Sequence, residues 1–461
     1  MSVDMALIVP HPPLIVPDIG RGEERKIRDT VEAYEKAARM IADFKPDTVI
    51  VASPHSVMYG DYIHIAPGEG AEGDFGRFGA PHVSISKAYD TEFVDELCKE
   101  AGKAGISAGT LGQREKSLDH GVLVPLYFIE KHYRDYRLVR LSISGLTALE
   151  HYRFGRCAAS VAEKLGRRAV FVASGDLSHK LTTDGPYGFA KEGPEFDSQI
   201  TEAMKAADFL KLLSFNEEFC EAAAECGLRS FIEMAGALDG KALKTEFMSY
   251  EGPFGVGYAV CAYTVTGSDE RRRFAHIYEE ERRRSLAETK RGEDEYVKLA
   301  RLSLETYIKT GKYAKLPPDL PAEMLNNRAG VFVSLKKDGR LRGCIGTISP
   351  VEPSIAEEII RNAVSAGTGD PRFDPVEEDE LDSLVYSVDV LGEPEPIESM
   401  DELDAKRYGV IVTKGFRRGL LLPNLEGVDT PEQQVAIALQ KAGIPAYEKY
   451  SMERFEVVRH K

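Results

Sequence analysis

The chain has 461 residues, more than one hydrophobic core usually serves, so two or more domains are expected. Hydrophobic residues at 43% and charged residues at 29% are an ordinary globular balance, which excludes a disordered or fibrous chain. With 59 Lys and Arg against 75 Asp and Glu the net charge is −16, a surface that repels phosphate backbones and argues against a nucleic-acid partner.

From residue 5 to about 265, short apolar runs alternate with amphipathic segments, the pattern of βαβ units around a largely parallel sheet. Strands are expected at 6–9, 48–52, 137–142, 169–173 and 257–265, and helices at 23–44, 91–104, 148–165 and 194–213. This gives an α/β domain over residues 1–267. Residues 268–292 are strongly charged and read as a helical linker. Its basic cluster, Arg271 to Arg273 and Arg282 to Arg284, is interleaved with Glu279, Glu280 and Glu281, as on a solvated helix. Residues 293–461 form a second unit. It opens with a helical pattern at Tyr296 and continues with a hairpin, 330–335 and 341–347, turned at Lys337-Asp338-Gly339-Arg340. Later strands are expected at 385–391 and 409–413, which makes this unit α+β.

Cys98, Cys157, Cys220, Cys226, Cys261 and Cys344 lack CxxC pairing, as expected of free thiols in a reducing compartment. No stretch approaches about 18 uninterrupted apolar residues, and no basic region with a cleavage site opens the chain. A cytoplasmic location without a membrane span is the expectation.

Three apolar runs of the first domain end alike: Leu7-Ile-Val-Pro-His11, Ile50-Val-Ala-Ser-Pro-His55, and Val170-Phe-Val-Ala-Ser-Gly-Asp176-Leu-Ser-His179. In open parallel sheets, ligands bind outside the carboxyl ends of the strands, where residues distant in sequence converge. Imidazole is the commonest ligand of divalent first-row metals, which makes His11 and His55 candidate ligands. His120, after Leu118-Asp119, and His179 add groups that titrate near neutrality and can move a proton. Asp176 either orients His179 or caps a following helix. His64, His82, His132, His151, His276 and His460 have no such setting and read as surface or core residues.

Together these motifs resemble the catalytic subunit of class III extradiol ring-cleavage dioxygenases and their relatives, the Memo family, over about residues 4 to 266. The resemblance implies an iron(II) site, with zinc or another divalent metal as the alternative, and a small catechol-like or other chelating substrate. It implies His11 and His55 as metal ligands, His179 as acid/base and His120 as a group contacting substrate or dioxygen. The third ligand falls in Ala224-Glu225-Cys226-Gly227. Glu225 completes the dioxygenase triad and is preferred, while a Cys-Gly setting such as Cys226-Gly227 is the Memo alternative.

In the second unit, Leu341-Arg-Gly-Cys344-Ile-Gly-Thr347 places two glycines around a cysteine in a strand pattern, the mark of a close backbone approach. With 363–374 and 419–423 it resembles the AMMECR domain family over about residues 293 to 460. Cys344 is either a nucleophile activated by Arg342 or, as preferred, a small buried residue. Arg342 and Arg372 are candidates for an anionic ligand. Fusion of the two halves resembles the AmmeMemoRadiSam arrangement, which implies a separate radical S-adenosylmethionine protein as partner, since this chain has no CxxxCxxC motif. The oligomeric state stays open, a homo-oligomer included.

Overall fold

The computed structural model describes residues 2–337, 339–425 and 427–461. The chain divides into two compact units, between Glu281 and Arg282, within the helix Phe274–Gly292. No helix among the described residues is long and apolar enough to cross a membrane, and all six cysteines are free.

The N-terminal unit is built on a six-stranded sheet. Its order is Arg137–Ser142, Thr48–Ser53, Ala169–Ser174, Val3–Val9, Tyr258–Ser268, Lys241–Glu251. The first four strands are mutually parallel, and the last two are antiparallel additions on one side. The central strands are runs of Val, Ile, Leu and Ala buried on both faces, as in a sheet covered by helices on each side. One face packs against the helices Thr91–Lys103, Ala148–Lys164, Glu192–Ala206 and Leu228–Ala237, the other against Arg28–Phe44 and His120–Glu130.

The five expected strands are present with boundaries moved by a few residues, as are the main helices, except that the expected helix 194–213 is broken at the left-handed Ala207 into Glu192–Ala206 and Phe209–Leu213. Among the elements not expected from the sequence, an outer strand, a helix and a hairpin have plain physical reasons. Lys241–Glu251 is a partly exposed outer strand whose residues do not alternate cleanly between apolar and polar. The helix His120–Glu130 is almost uniformly buried and holds Pro125, so it shows no amphipathic period and carries a helix breaker. The hairpin Gly70–Phe75 with Ala80–Ala88 is short of large apolar residues.

The C-terminal unit is α+β. One antiparallel sheet runs Arg340–Gly346, Val331–Lys337, Leu384–Leu391, Val457–His460, and is covered by the helices Glu295–Thr310 and Ile355–Thr368. A second runs Glu395–Ile397, Ser451–Phe455, Gly409–Lys414, Arg417–Leu421, with Pro431–Ala442 against it. Of the expected hairpin turn, Asp338 lies outside the described residues; Gly339 has φ +81°, the conformation for which glycine is suited.

Candidate metal centre

The strands Thr48–Ser53, Ala169–Ser174 and Val3–Val9 are consecutive neighbours in the sheet. Their carboxyl ends therefore deliver His55, the Asp176 loop and His11 to one crevice. His11 Nε2 lies 3.0 Å from His55 Nε2 and 3.6 Å from Cys226 Sγ, and the three donor atoms lie within 4.8 Å of one another. Two nitrogens about 2.0 Å and a sulfur about 2.3 Å from one ion lie roughly 3–4 Å apart, so this spacing fits a first-row divalent metal.

Two close backbone approaches bring the cysteine there. A Cβ on Gly175 would lie 2.1 Å from Gly227 Cα, so the Ser-Gly-Asp strand end and the Cys-Gly turn pack backbone against backbone. Ala224 adopts a left-handed φ of +52°, reversing the chain after the helix Glu217–Ala223. The backbone N–H of Asp176 then donates to Cys226 Sγ at 3.3 Å.

This turn separates the two candidates for third ligand, Glu225, preferred from the sequence, and Cys226. The Glu225 carboxylate accepts the backbone N–H of Leu228 at 2.7 Å, the first turn of Leu228–Ala237, and it is Cys226 that faces the histidines. A free N–H at a helix start attracts a carboxylate, which holds Glu225 away. Neither expected role of Asp176 is seen. No helix starts behind it, and its Oδ1 accepts the backbone N–H of His11 at 2.8 Å rather than orienting His179.

The electrostatics favour lone pairs at the histidines. Burial, then the neighbouring imidazoles of His55, His120 and His179, holds His11 well below its usual pKa and hence neutral. Partial desolvation also lowers His55, although its outer edge is exposed. His11 Nδ1 meets Ser174 Oγ at 2.9 Å, leaving Nε2 for the crevice. Burial pushes the Cys226 thiol well up, with Asp176 and Glu225 adding to it. A bound cation reverses that balance, since a coordinating thiol is deprotonated outright.

His120 stacks on His55 with centroids 4.1 Å apart, and burial, then His55, lowers it to about 4. Asp119, which the sequence reading left without a role, caps the helix His120–Glu130 through Val122 N and accepts Ser53 Oγ and Ser56 Oγ at 2.6 and 2.7 Å. His179 sits with its ring 5.1 Å from Tyr187, and its Nδ1 is buried without a hydrogen-bond partner among the described residues. A cleft of about 1080 Å³ reaches this cluster at His55 and His120, between the Gly70–Ala88 hairpin and residues 115–119. Ser174 and Asp119 had no sequence signal beyond standing in the same strand-end and Asp-His motifs.

In the second unit, Cys344 is half-buried and accepts Ser334 Oγ at 3.2 Å. Gly343 is required by Ala366 O, 2.1 Å from where a Cβ would stand. Arg342 and Arg372, expected to face an anion, instead pair with Glu380 and Asp370 at 2.8 and 2.6 Å.

Residues 5–261 match the family described as the catalytic LigB subunit of aromatic ring-opening dioxygenase, and residues 297–460 match AMMECR1. A protein of Clostridium acetobutylicum is 46% identical over the whole of both chains. A Thermotoga maritima protein is 53% identical over 37% of this chain and 99% of its own. A solved structure from Pyrococcus horikoshii, 38% identical, covers 36% of this chain and 88% of its own, with a TM-score of 0.34. With this crevice at the strand ends and this match over most of the first unit, the chain belongs to the family of the catalytic LigB subunit of aromatic ring-opening dioxygenase, joined to an AMMECR1 domain.

Proposed function

We propose that the N-terminal unit is a metalloenzyme holding one borderline-to-soft first-row metal, zinc or iron(II), on His11 Nε2, His55 Nε2 and Cys226 Sγ, and moving protons on a small chelating oxygen compound. The observation that carries this reading is the convergence of two neutral imidazoles and one thiol with Glu225 turned away. A bound divalent ion would polarise a substrate oxygen and ease loss of its proton. His179, with a buried unpartnered Nδ1 and a pKa lowered by burial, is suited to accept that proton. His120, neutral at pH 7 and stacked on His55, lines the approach from the cleft. A thiolate in place of a carboxylate departs from the 2-His-1-carboxylate face of iron(II) oxygen chemistry and favours oxygen-independent turnover.

Oxygen-consuming ring opening with iron(II) is the second reading, favoured by the family match over residues 5–261. The two separate in one experiment: anaerobically metal-loaded protein is given 4-nitrocatechol, and ligand absorption, proton release and oxygen uptake are followed. The proposal expects metal-dependent binding with proton release, weakened in His179→Gln, and no oxygen uptake above the metal-free control. Oxygen uptake with a ring-opened product establishes the second reading, and absence of metal-dependent binding contradicts both.

A further inference from the structure

A second polar cluster lies at the outer parallel strand of the N-terminal sheet. Arg140 sits in Arg137–Ser142, where Leu138, Arg140 and Ser142 share one face by alternation with Val139 and Leu141. Beside that strand Ile65 pairs with Leu141, Ala66 N–H donates to Arg140 O, and His64 N–H donates to Ser142 Oγ at 2.9 Å. Tyr89 pairs with Leu138. His64 and Tyr89 therefore flank Arg140 from opposite ends, and the three residues are 2%, 1% and 2% exposed.

Each presents a buried polar atom without a partner among the described residues: His64 Nε2, the Tyr89 hydroxyl and Arg140 Nε. The terminal nitrogens of Arg140 donate only to backbone carbonyls, Ser117 O at 2.8 Å and Glu115 O at 2.6 Å, and no carboxylate pairs with this guanidinium among the described residues. A buried cation without a counter-charge is strongly unfavourable. Water can satisfy the donors but leaves the charge; a small anion satisfies both.

We infer that Arg140, Tyr89 and His64 form an internal site for one small monovalent anion, a halide or a compact oxyanion such as nitrate. Arg140 Nε–H and the Tyr89 hydroxyl donate to it, and His64 donates from Nε2 in its neutral tautomer. Burial, then Arg140, lowers the pKa of His64, so of these three residues the guanidinium carries the positive charge. Glu115 and Ser117, whose carbonyls Arg140 holds, line the cleft that reaches His55 and His120. The inference stands on these residues alone, whatever metal the strand ends hold.

The test is thermal unfolding of the full chain in sodium chloride, bromide or nitrate against sodium gluconate at equal ionic strength, with crystals grown in bromide. The unfolding temperature should rise saturably with the three small anions and not with gluconate, and an anomalous bromide peak should lie beside Arg140 Nε. Tyr89→Phe should weaken the bromide dependence roughly tenfold, the worth of one hydrogen bond to a charged group. Arg140→Met should abolish it; should that variant not fold, Tyr89→Phe carries the test. Equal stabilisation by gluconate, or no bromide peak beside Arg140, overturns the inference.

Discussion

Ser174 is the residue on which the orientation of His11 turns. Its hydroxyl meets Nδ1 and can accept a proton carried there, the tautomer that frees the Nε2 lone pair for a metal. Ser174→Ala is expected to weaken metal binding about 10–100-fold, measured by competition with a chromogenic chelator, with little change in stability. At this scale the sequence was legible in one respect and misleading in another. His11, His55, His120 and His179 stood out because each follows a strand end or an Asp-capped helix start. Glu225 and Cys226 are adjacent, and no residue type in that stretch says which one turns inward. That is decided by the left-handed Ala224 and the Gly175–Gly227 approach, which join segments about fifty residues apart.

Among the elements, the helix that follows Cys226 is locked by its crossing with Ala148–Lys164. A Cβ on Gly155 or Gly236 would stand 1.8 Å from Glu233 O or 1.9 Å from Tyr152 O, so Gly236→Ala should cost about 1–3 kcal/mol in urea unfolding. The same crossing buries His151 Nδ1 against Glu233 Oε1 at 2.8 Å, both side chains fully enclosed. Glu233→Ala leaves His151 Nδ1 without its partner while Nε2 keeps Ser144, and should cost about 1–3 kcal/mol. Asp197 ties the His179 loop to the outer strand, accepting Ser178 N–H and the Tyr250 hydroxyl. Burial raises its carboxyl to about 6, outweighing those two hydrogen bonds. Its folded pKa is thus above the unfolded value of about 3.9, and its stabilisation is full below about pH 4 and lost as pH rises through about 6. Asp197→Asn should flatten that part of the pH–stability curve, narrowing the loss by about 1–3 kcal/mol, read from urea midpoints at stepped pH. Asp176 and Glu225, also raised to about 7, titrate in both proteins and cancel in the comparison. Periodicity revealed the helix Ala148–Lys164 of this crossing, but neither its partner Leu228–Ala237 nor that glycines set its closeness.

For the whole molecule, the alternation of strands and helices up to residue 265 and the charged stretch after it made two units legible, and the chain divides within that stretch. The sheet order was not legible: local periodicity carries no record of which strands become neighbours. Yet that order places the ends of Thr48–Ser53, Ala169–Ser174 and Val3–Val9 side by side and so creates the centre. Metal should therefore stabilise the N-terminal unit, by about 2.7 kcal/mol when free metal is a hundredfold above its dissociation constant, seen in calorimetry as a shift of that unit's transition alone. The most direct measurement is the metal content of anaerobically purified wild type, Cys226→Ser and Glu225→Gln. About one first-row metal ion per chain is expected in wild type and Glu225→Gln, and its loss in Cys226→Ser. Metal kept in Cys226→Ser and lost in Glu225→Gln would contradict a centre completed by Cys226.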